Sequence, residues 1–253
     1  MNDIPLVSIV TPTLNSEKYI EQTIKSVFDL NYTNIEYIIV DGESNDQTLQ
    51  ILEKYKKKIK ILVRKDNSMY EALDNGFKIA NGKYLCWINS DDFLFKDGIS
   101  NAVKFMQKNK IEWINGVNSF CINNKITSVP LPYFFPRNYI LEEKCHKADY
   151  GFIPQESVIF SKKLYIESGG FDLNKKLSGD FYLWKSFSKI TSMHPVNIKI
   201  GVFRKRKGQL TEDLSIYYNE IGKKYKKKFN LFRLCLSLLF QIYFFISKFF
   251  NKK

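Results

Sequence analysis

Short β-rich runs alternate with helical patterns through the first 120 residues of this chain, and that alternation leaves few folds open. Leu6 to Val10 reads as a first strand, and Glu17 to Leu30 follows as an amphipathic helix with Tyr19, Ile20, Ile24, Val27 and Phe28 on one face. Ile35 to Val40 is a second strand, followed by a helix over Asp46 to Lys57. Ile59 to Val63 is a third strand, and Met69 to Ala80 is its helix. Tyr84 to Ile88 reads as a buried fourth strand, Asp97 to Lys108 as a helix and Glu112 to Val117 as a fifth strand. Gly82, just past the third helix, stands where a left-handed C-cap is expected. Units of this length predict an α/β fold with a doubly wound, mostly parallel sheet.

Between residues 119 and 150 the pattern loosens. Pro130, Pro132 and Pro136 interrupt it and Tyr133, Phe134 and Phe135 crowd in, which predicts a long, partly ordered excursion of the kind that handles a second substrate. Order returns with a strand at Ser157 to Phe160, a helix over Lys162 to Ser168, a turn at Gly169-Gly170 and a helix from Gly179 to Ser188. No internal repeat or low-complexity block is present.

With 253 residues, 44% of them hydrophobic, the chain can bury one α/β core and carry an appendage. The formal net charge of +13 divides accordingly. From residue 221 onward there are nine Lys or Arg and no acid, leaving 30 basic against 26 acidic residues in the body. A nucleic-acid binder would spread basic surface over its folded domain, so no nucleic-acid partner is expected. The expected division is a folded domain over 1–220 and a basic amphipathic segment over 221–253. In that segment, at 100° per residue, Asn230, Arg233, Ser237, Gln241, Ser247, Lys248, Asn251 and Lys252 form one polar stripe on an otherwise apolar helix. The uncharged run between Arg233 and Lys248 is 14 residues, short of the roughly 20 that cross a bilayer. The expectation is therefore a C-terminal amphipathic helical tail lying on an anionic membrane surface; packing on the body or on a second copy in a homodimer is the alternative. Cys86, Cys121, Cys145 and Cys235 show no metal-finger spacing and no disulfide density, and the first residues resemble no signal peptide. Together these place the protein, as an expectation, at the cytoplasmic face of the cell membrane.

In an open α/β sheet, ligands bind beyond the carboxyl ends of the strands. The polar residues there are Thr11-Pro-Thr-Leu-Asn15 after strand one, Asp41 after strand two, and Asn89-Ser-Asp-Asp92 after strand four. Neither a GxGxxG nor a GxxxxGK[ST] loop is present to cradle phosphates. Paired carboxylates without such a loop suggest a hard divalent cation, Mn²⁺ or Mg²⁺, held by Asp91 and Asp92 and bridging a diphosphate. Taken singly, Asp91-Asp92 also reads as a solvated turn, and Asp46 as a helix-capping residue. What favours a site is the convergence of carboxylates from separate strand ends.

Three segments resemble family 2 glycosyltransferases of the GT-A fold, most closely bacterial enzymes that build surface polysaccharides: Val7-Ser-Ile-Val-Thr-Pro-Thr-Leu-Asn15, Ile38-Ile-Val-Asp-Gly-Glu-Ser-Asn-Asp46, and Asn75 to Tyr84 leading to Asn89-Ser-Asp-Asp92. The resemblance continues through Pro154-Gln-Glu-Ser-Val158, Gly169-Gly-Phe-Asp172 and Gly179-Asp-Phe-Tyr-Leu-Trp184, spanning roughly residues 5–215. It implies a nucleotide-sugar donor and a glycan or polyprenyl-linked acceptor. It implies that Asp41 contacts the nucleotide base with Thr11 and Pro12 lining the pocket, that Asn15 also serves the donor, and that Asp91 and Asp92 serve the metal and ribose. It makes Asp180 the catalytic base of an inverting transfer, sets Asp66, Tyr70 and Asn75 beside the donor, and makes Arg204 and Gln209 to Thr211 a loop closing near the diphosphate, with Lys205 and Arg206 as possible helpers or a lipid-facing patch. The chain departs from the family pattern at Gly42, at Asn89, at Gln155-Glu156, where His-Gln is common, and at Glu71 and Asp74. Read without the resemblance, Asp180 is a helix-start residue, since Ser178-Gly-Asp180 precedes an apolar run. Two other readings stay open: a non-catalytic nucleotide-sugar-binding partner of another transferase, and a nucleotidyltransferase, whose usual basic, glycine-rich loop Thr11 to Asn15 does not supply.

Overall fold

The computed structural model describes residues 4–146, 149–209, 212 and 214–223, with single positions at 235, 238, 239 and 242. The expected tail helix therefore lies outside the described residues. Among the described residues no helix is long and apolar enough to cross a membrane.

The main sheet has seven strands. In chain order they are β1 (Val7–Thr13), β2 (Ile35–Asp41), β3 (Lys60–Val63), β4 (Tyr84–Trp87), β6 (Trp113–Asn115), β9 (Val158–Ser161) and β10 (His194–Pro195), ordered in space β10-β6-β9-β4-β1-β2-β3. β1 pairs in parallel with β2 and with β4, β2 with β3, and β6 with β10. β9 runs antiparallel between β4 and β6. The expected doubly wound, mostly parallel sheet is present, with one reversed strand that hydrophobic pattern cannot reveal, because strand direction leaves no trace in side-chain period.

Both faces are covered, so successive residues of each central strand enter different cores. Val7 and Ile9 of β1, Tyr37 and Ile39 of β2 and Cys86 of β4 pack with Ile20, Ile24 and Val27 of α1 (Ile20–Phe28), Leu52 of α2 (Thr48–Glu53) and Ile99, Ala102 and Met106 of α4 (Gly98–Asn109). Val10, Ile38, Val40, Leu85 and Trp87 face the other way. They meet Leu73 and Phe77 of α3 (Met69–Ile79), Leu164 of α6 (Lys162–Glu167) and Trp184 and Phe187 of α7 (Gly179–Ile190). Stacked Trp87, Trp184 and Trp113 fill this second core, with ring centroids 5.4 and 5.7 Å apart.

Two expectations are corrected here. Gly82 has no left-handed backbone; α3 ends at Ala80 in extended conformation. Glycine is needed because a Cβ would lie 2.4 Å from the Ser8 amide nitrogen and 2.8 Å from the Tyr84 carbonyl. The excursion after residue 119 is also more regular than the pattern suggested. β7 (Ser119–Ile122) and β8 (Lys125–Ser128) form a hairpin through Asn123 and Asn124, both in the left-handed region that such two-residue turns require. α5 (Arg137–Leu141) follows the prolines. β7 joins β11 (Gly201–Arg204), which pairs on its other edge with β5 (Phe93–Leu94). This four-stranded sheet lays β11 directly against the chain that follows Asp91-Asp92. The turn at Gly169-Gly170 is as expected, with φ of +84° and +73°.

Candidate active site

The site grows from the carboxyl ends of β1, β2 and β4. β1 runs three residues further than its apolar pattern implies, to Thr13, pairing with β2 to Asp41 while β4 leaves it at Val10. Pro12 thus sits in a strand with one neighbour, where a missing amide is tolerated. Thr11 is fully buried with its Oγ1 3.1 Å from Tyr37 Oη. Asp41 is also fully buried, and its carboxylate accepts from the Ser44 amide at 2.8 Å and the Ser44 hydroxyl at 2.7 Å. In this conformation Thr11 and Asp41 are fully buried and Pro12 is buried, so the three shape the wall of the site from behind. The strand period could not show this, because the residues past Val10 are themselves strand and take their turn facing inward.

Ser44 carries the Asp41 anchor to the rim. Its Oγ accepts from the Asn15 amide at 2.9 Å, and Asn15 Oδ1 accepts from the Asn45 amide at 2.8 Å. The Oγ atoms of Ser16 and Ser90 are 2.7 Å apart, which ties the β1 loop to the β4 loop. Asp46 lies one residue before Gln47, the N-cap of α2; one of its carboxylate oxygens accepts from the Thr48 amide at 2.9 Å and the other from the Glu17 amide. Between these loops opens a pocket of about 200 Å³ lined by Asn15, Ser16, Tyr19, Asp46, Asp91 and Arg206 among others.

Asp91 lines this pocket and Asp92 is buried next to it, and the two are in different states. Asp92 is 1% exposed; one carboxylate oxygen accepts from the Arg204 amide at 2.7 Å, and the other is buried with no hydrogen-bond partner among the described residues. Burial, reinforced by the charges of Asp91 and Glu156, holds its carboxyl well above the usual range. Asp91 Oδ2 accepts from Arg206 Nε at 2.7 Å and from Gln209 Nε2 at 3.3 Å. Arg204, expected at the diphosphate, is instead buried: its Nε donates to the Asp91 carbonyl at 2.8 Å, an Nη donates to Gln22, and its guanidinium lies between the rings of Tyr19 and Phe93. It braces the Asp91-Asp92 turn, and of the two arginines Arg206 is the one that lines the pocket, together with Lys18. A basic triplet, Arg204-Lys-Arg206, does not reveal which member turns inward until β11 is placed. An unpartnered buried carboxylate oxygen beside a second carboxylate is a hard-oxygen donor set that fits Mg²⁺ or Mn²⁺. No group of three His, Cys, Asp or Glu side chains among the described residues could hold a metal alone, so phosphate and water would complete the coordination.

A second carboxylate group adjoins the first. Asp180, in the first turn of α7, accepts from Tyr70 Oη at 3.0 Å and from the Phe181 amide at 2.8 Å. Burial pushes it up to about 6 against those hydrogen bonds. Glu156, in the short 3-10 turn Gln155–Ser157, is 5% exposed. Burial and the charge of Asp180 push its carboxyl up to about 7. Because Glu156 acts electrostatically on Asp92 and Asp180 acts on Glu156, the three carboxylates share one region. Glu156 stands in the segment that departs from the family pattern, and that departure was its one visible signal. Asp66 and Asn75 lie on the other flank: Asn75 Nδ2 and Arg64 Nε each donate to Asp66 Oδ1 at 2.9 Å, and the Arg64 amide donates to the Asp41 carbonyl. They border the end of β2, away from the Asp91 pocket.

Comparison with known proteins adds the following. The model of a family described as glycosyl transferase family 2 matches residues 8–168. A putative teichuronic acid biosynthesis glycosyltransferase, TuaG of Bacillus subtilis, is 37% identical over 108 residues, covering 41% of this chain and 43% of the relative. The solved structure of Staphylococcus aureus TarS residues 1–349 in complex with UDP-GlcNAc is similar with a TM-score of 0.66 at 21% identity, covering 82% of this chain and 61% of that one. A Pyrobaculum calidifontis mannosyltransferase in complex with GDP-Man and Mn²⁺ is similar with a TM-score of 0.63 at 16% identity, covering 90% and 67%. The chain spans between about half and just under two thirds of the length of the first curated relatives it matches. The structural likenesses speak to the fold, and the GT-A architecture is the one this chain adopts.

Proposed function

The chain belongs to glycosyl transferase family 2, and on that premise we propose that it is an inverting glycosyltransferase that moves a sugar from a nucleotide-sugar donor to a glycan acceptor in cell-surface polysaccharide synthesis. The observation that carries this reading is the pair of neighbouring carboxylate groups: Asp91-Asp92 at the mouth of a parallel sheet, and Asp180 held by Tyr70 with its carboxyl raised to about 6. A base poised near neutrality, next to a pocket with hard-oxygen ligands, suits displacement of a diphosphate by a hydroxyl.

Asp180 takes the proton from the acceptor hydroxyl as that oxygen attacks the anomeric carbon. The bond from that carbon to the diphosphate oxygen breaks, and its electron pair leaves with the nucleoside diphosphate, inverting the configuration. Asp91 and Asp92 would hold Mn²⁺ or Mg²⁺, which when bound neutralises charge on the leaving diphosphate. Arg206 pairs with Asp91 until a donor arrives and then turns its guanidinium to the phosphates. Asn15 and the Asp41–Ser44 anchor set the pocket rim, and Asp66 and Asn75 border the nucleotide side. The UDP-GlcNAc and GDP-Man bound in the similar solved structures, and the Mn²⁺ in one of them, support a nucleotide-sugar donor and a divalent ion. The teichuronic acid and poly(ribitol-phosphate) enzymes among the relatives support a surface-polymer acceptor.

The basic 221–253 segment is proposed as a separate membrane-surface element that confines the enzyme to the cytoplasmic face of the membrane beside a lipid-linked acceptor. A panel of UDP-, GDP- and dTDP-sugars tests the main reading. Nucleoside diphosphate should be released from at least one of them with Mn²⁺, release should stop with EDTA, and Asp180→Asn should slow it by on the order of 10²–10⁴ while still binding the nucleotide. Donor binding without turnover in the wild-type chain, even with cell-wall acceptor fractions present, would favour a non-catalytic partner instead.

A further inference from the structure

The last described helix, α8 (Ser215–Glu220), ends in a carboxylate aimed at the segment just before Asp180. Glu220 accepts from the amides of Lys176 at 2.8 Å, Leu177 at 3.1 Å and Ser178 at 2.9 Å, and from the Ser178 hydroxyl at 2.6 Å. Three consecutive backbone N–H groups and a hydroxyl thus converge on one side chain, some 42 to 44 residues distant in sequence. Burial alone would raise the Glu220 carboxyl; these hydrogen bonds outweigh it and leave the group below the usual carboxylate range.

The place of this contact matters. Residues 176–178 lead directly into α7, where amides lack intrahelical partners and negative charge is favoured. Ser178, the N-cap residue, makes no side-chain cap to its own helix and gives its hydroxyl to Glu220. The same stretch is held from the opposite side. Tyr70 Oη lies 3.2 Å from the Leu177 carbonyl and 3.0 Å from Asp180 Oδ1, so one phenol touches both the clamped backbone and the carboxylate it leads to. α8 is seated by Tyr217, Tyr218 and Ile221, which pack against Phe181, the residue after Asp180. Tyr182 Oη also donates to the Glu220 carbonyl at 3.2 Å.

We propose that Glu220 is a positioning residue for the catalytic base: by fixing residues 176–178 it sets where the Asp180 carboxylate stands relative to the acceptor hydroxyl. The proposal rests on Asp180 being the base. Misplacing a catalytic group by about 1 Å costs on the order of 10²-fold in rate, so a clamp of this kind acts on turnover and leaves the donor pocket at Asp91 alone.

A double-mutant cycle tests it, with nucleoside diphosphate release in Mn²⁺ followed for UDP-GlcNAc and GDP-mannose, whichever turns over faster. Glu220→Gln keeps the shape but sets an NH₂ among four donors. It should lower kcat about tenfold or more with the KM for the sugar nucleotide unchanged. In the Asp180→Asn background the same change should cost less than about twofold, because Glu220 would have nothing left to position. An equal cost in both backgrounds, or a rise in KM with kcat retained, overturns the positioning role. Full turnover in Glu220→Gln while Asp180→Asn is inactive overturns it and leaves the base reading standing. Full turnover in Asp180→Asn removes the base reading and this proposal together. Should Glu220→Gln fail to fold, Ser178→Ala, which deletes the 2.6 Å contact alone, decides the same cycle with a smaller loss in the same direction.

Discussion

Glu156 offers a direct measurement of what the site costs the fold. Its carboxyl is 5% exposed, and among the described residues no ion pair reaches it. Burial and the neighbouring Asp180 charge raise it from 4.5 to about 7. A carboxyl whose folded value is raised binds its proton more tightly folded than unfolded. Its contribution to stability is therefore largest below 4.5 and is lost as pH rises toward 7. Replacing Glu156 by Gln freezes the neutral form. At about 1.4 kcal/mol per unit, the variant should be more stable than wild type by about 3 kcal/mol at pH 8 and by under about 1 kcal/mol at pH 5. In a chain of this size that is a melting temperature roughly 6–12 °C higher at pH 8. Urea denaturation at the two pH values, with m held common, reads the difference. A Glu156→Gln variant that tracks wild type at both pH values, or gains equally at both, would refute the argument that a charged Glu156 is an uncompensated burden.

Three further outcomes follow from the same geometry. Wild-type kcat/KM should climb with pH through about 6 and then level, since Asp180 must be ionised to accept a proton. Asp180→Asn should lose on the order of 10²–10⁴ in turnover together with that acid limb; an unchanged limb would assign the titration elsewhere. Arg206→Ala removes the 2.7 Å pair with Asp91 and the guanidinium proposed to meet the diphosphate, and should raise the donor KM about tenfold; an unaltered KM would show that Arg206 only guards the empty pocket. Deleting residues 223–253 should release the protein from anionic vesicles in a salt-sensitive way, and unchanged partitioning would end the membrane-surface reading.

The Glu156 result would also explain why a carboxylate is kept where an amide would be more stable: stability is given up where a site needs charge. The same logic applies to Asp92, which with Thr13, Asn89 and Gln155 is one of several residues at this edge with a buried polar atom that has no hydrogen-bond partner among the described residues. Gly201 shows how tightly the backbone is committed there. A Cβ at that position would fall 2.1 Å from the Glu156 carbonyl oxygen, so β11 and the 3-10 turn meet main chain to main chain. At the other end of β11 the Arg204 amide donates to the Asp92 carboxylate.

Local sequence carried most of the architecture. Alternation of Val7, Ile9 and Val10, of Tyr37 through Val40 and of Tyr84 through Trp87 was enough to place the central strands, because each side chain is apolar for the core on its own face. The spacing of α1, α3, α4 and α7 followed from helical period for the same reason. Asp91 and Asp92 could be picked out because paired carboxylates at a strand end show their chemistry in their own side chains, whereas Asp180 was marked by the family resemblance and not by its local pattern. Which groups face a ligand could not be read this way. Whether Asp41 is open or sealed by Ser44, whether Arg204 or Arg206 enters the pocket, and that Glu220 grips residues 176–178 all depend on pairings across 3 to more than 100 residues. A hydrogen bond is directional and short, so its partner is decided only when distant segments arrive within 3 Å of each other, and periodicity along one segment holds no record of that encounter.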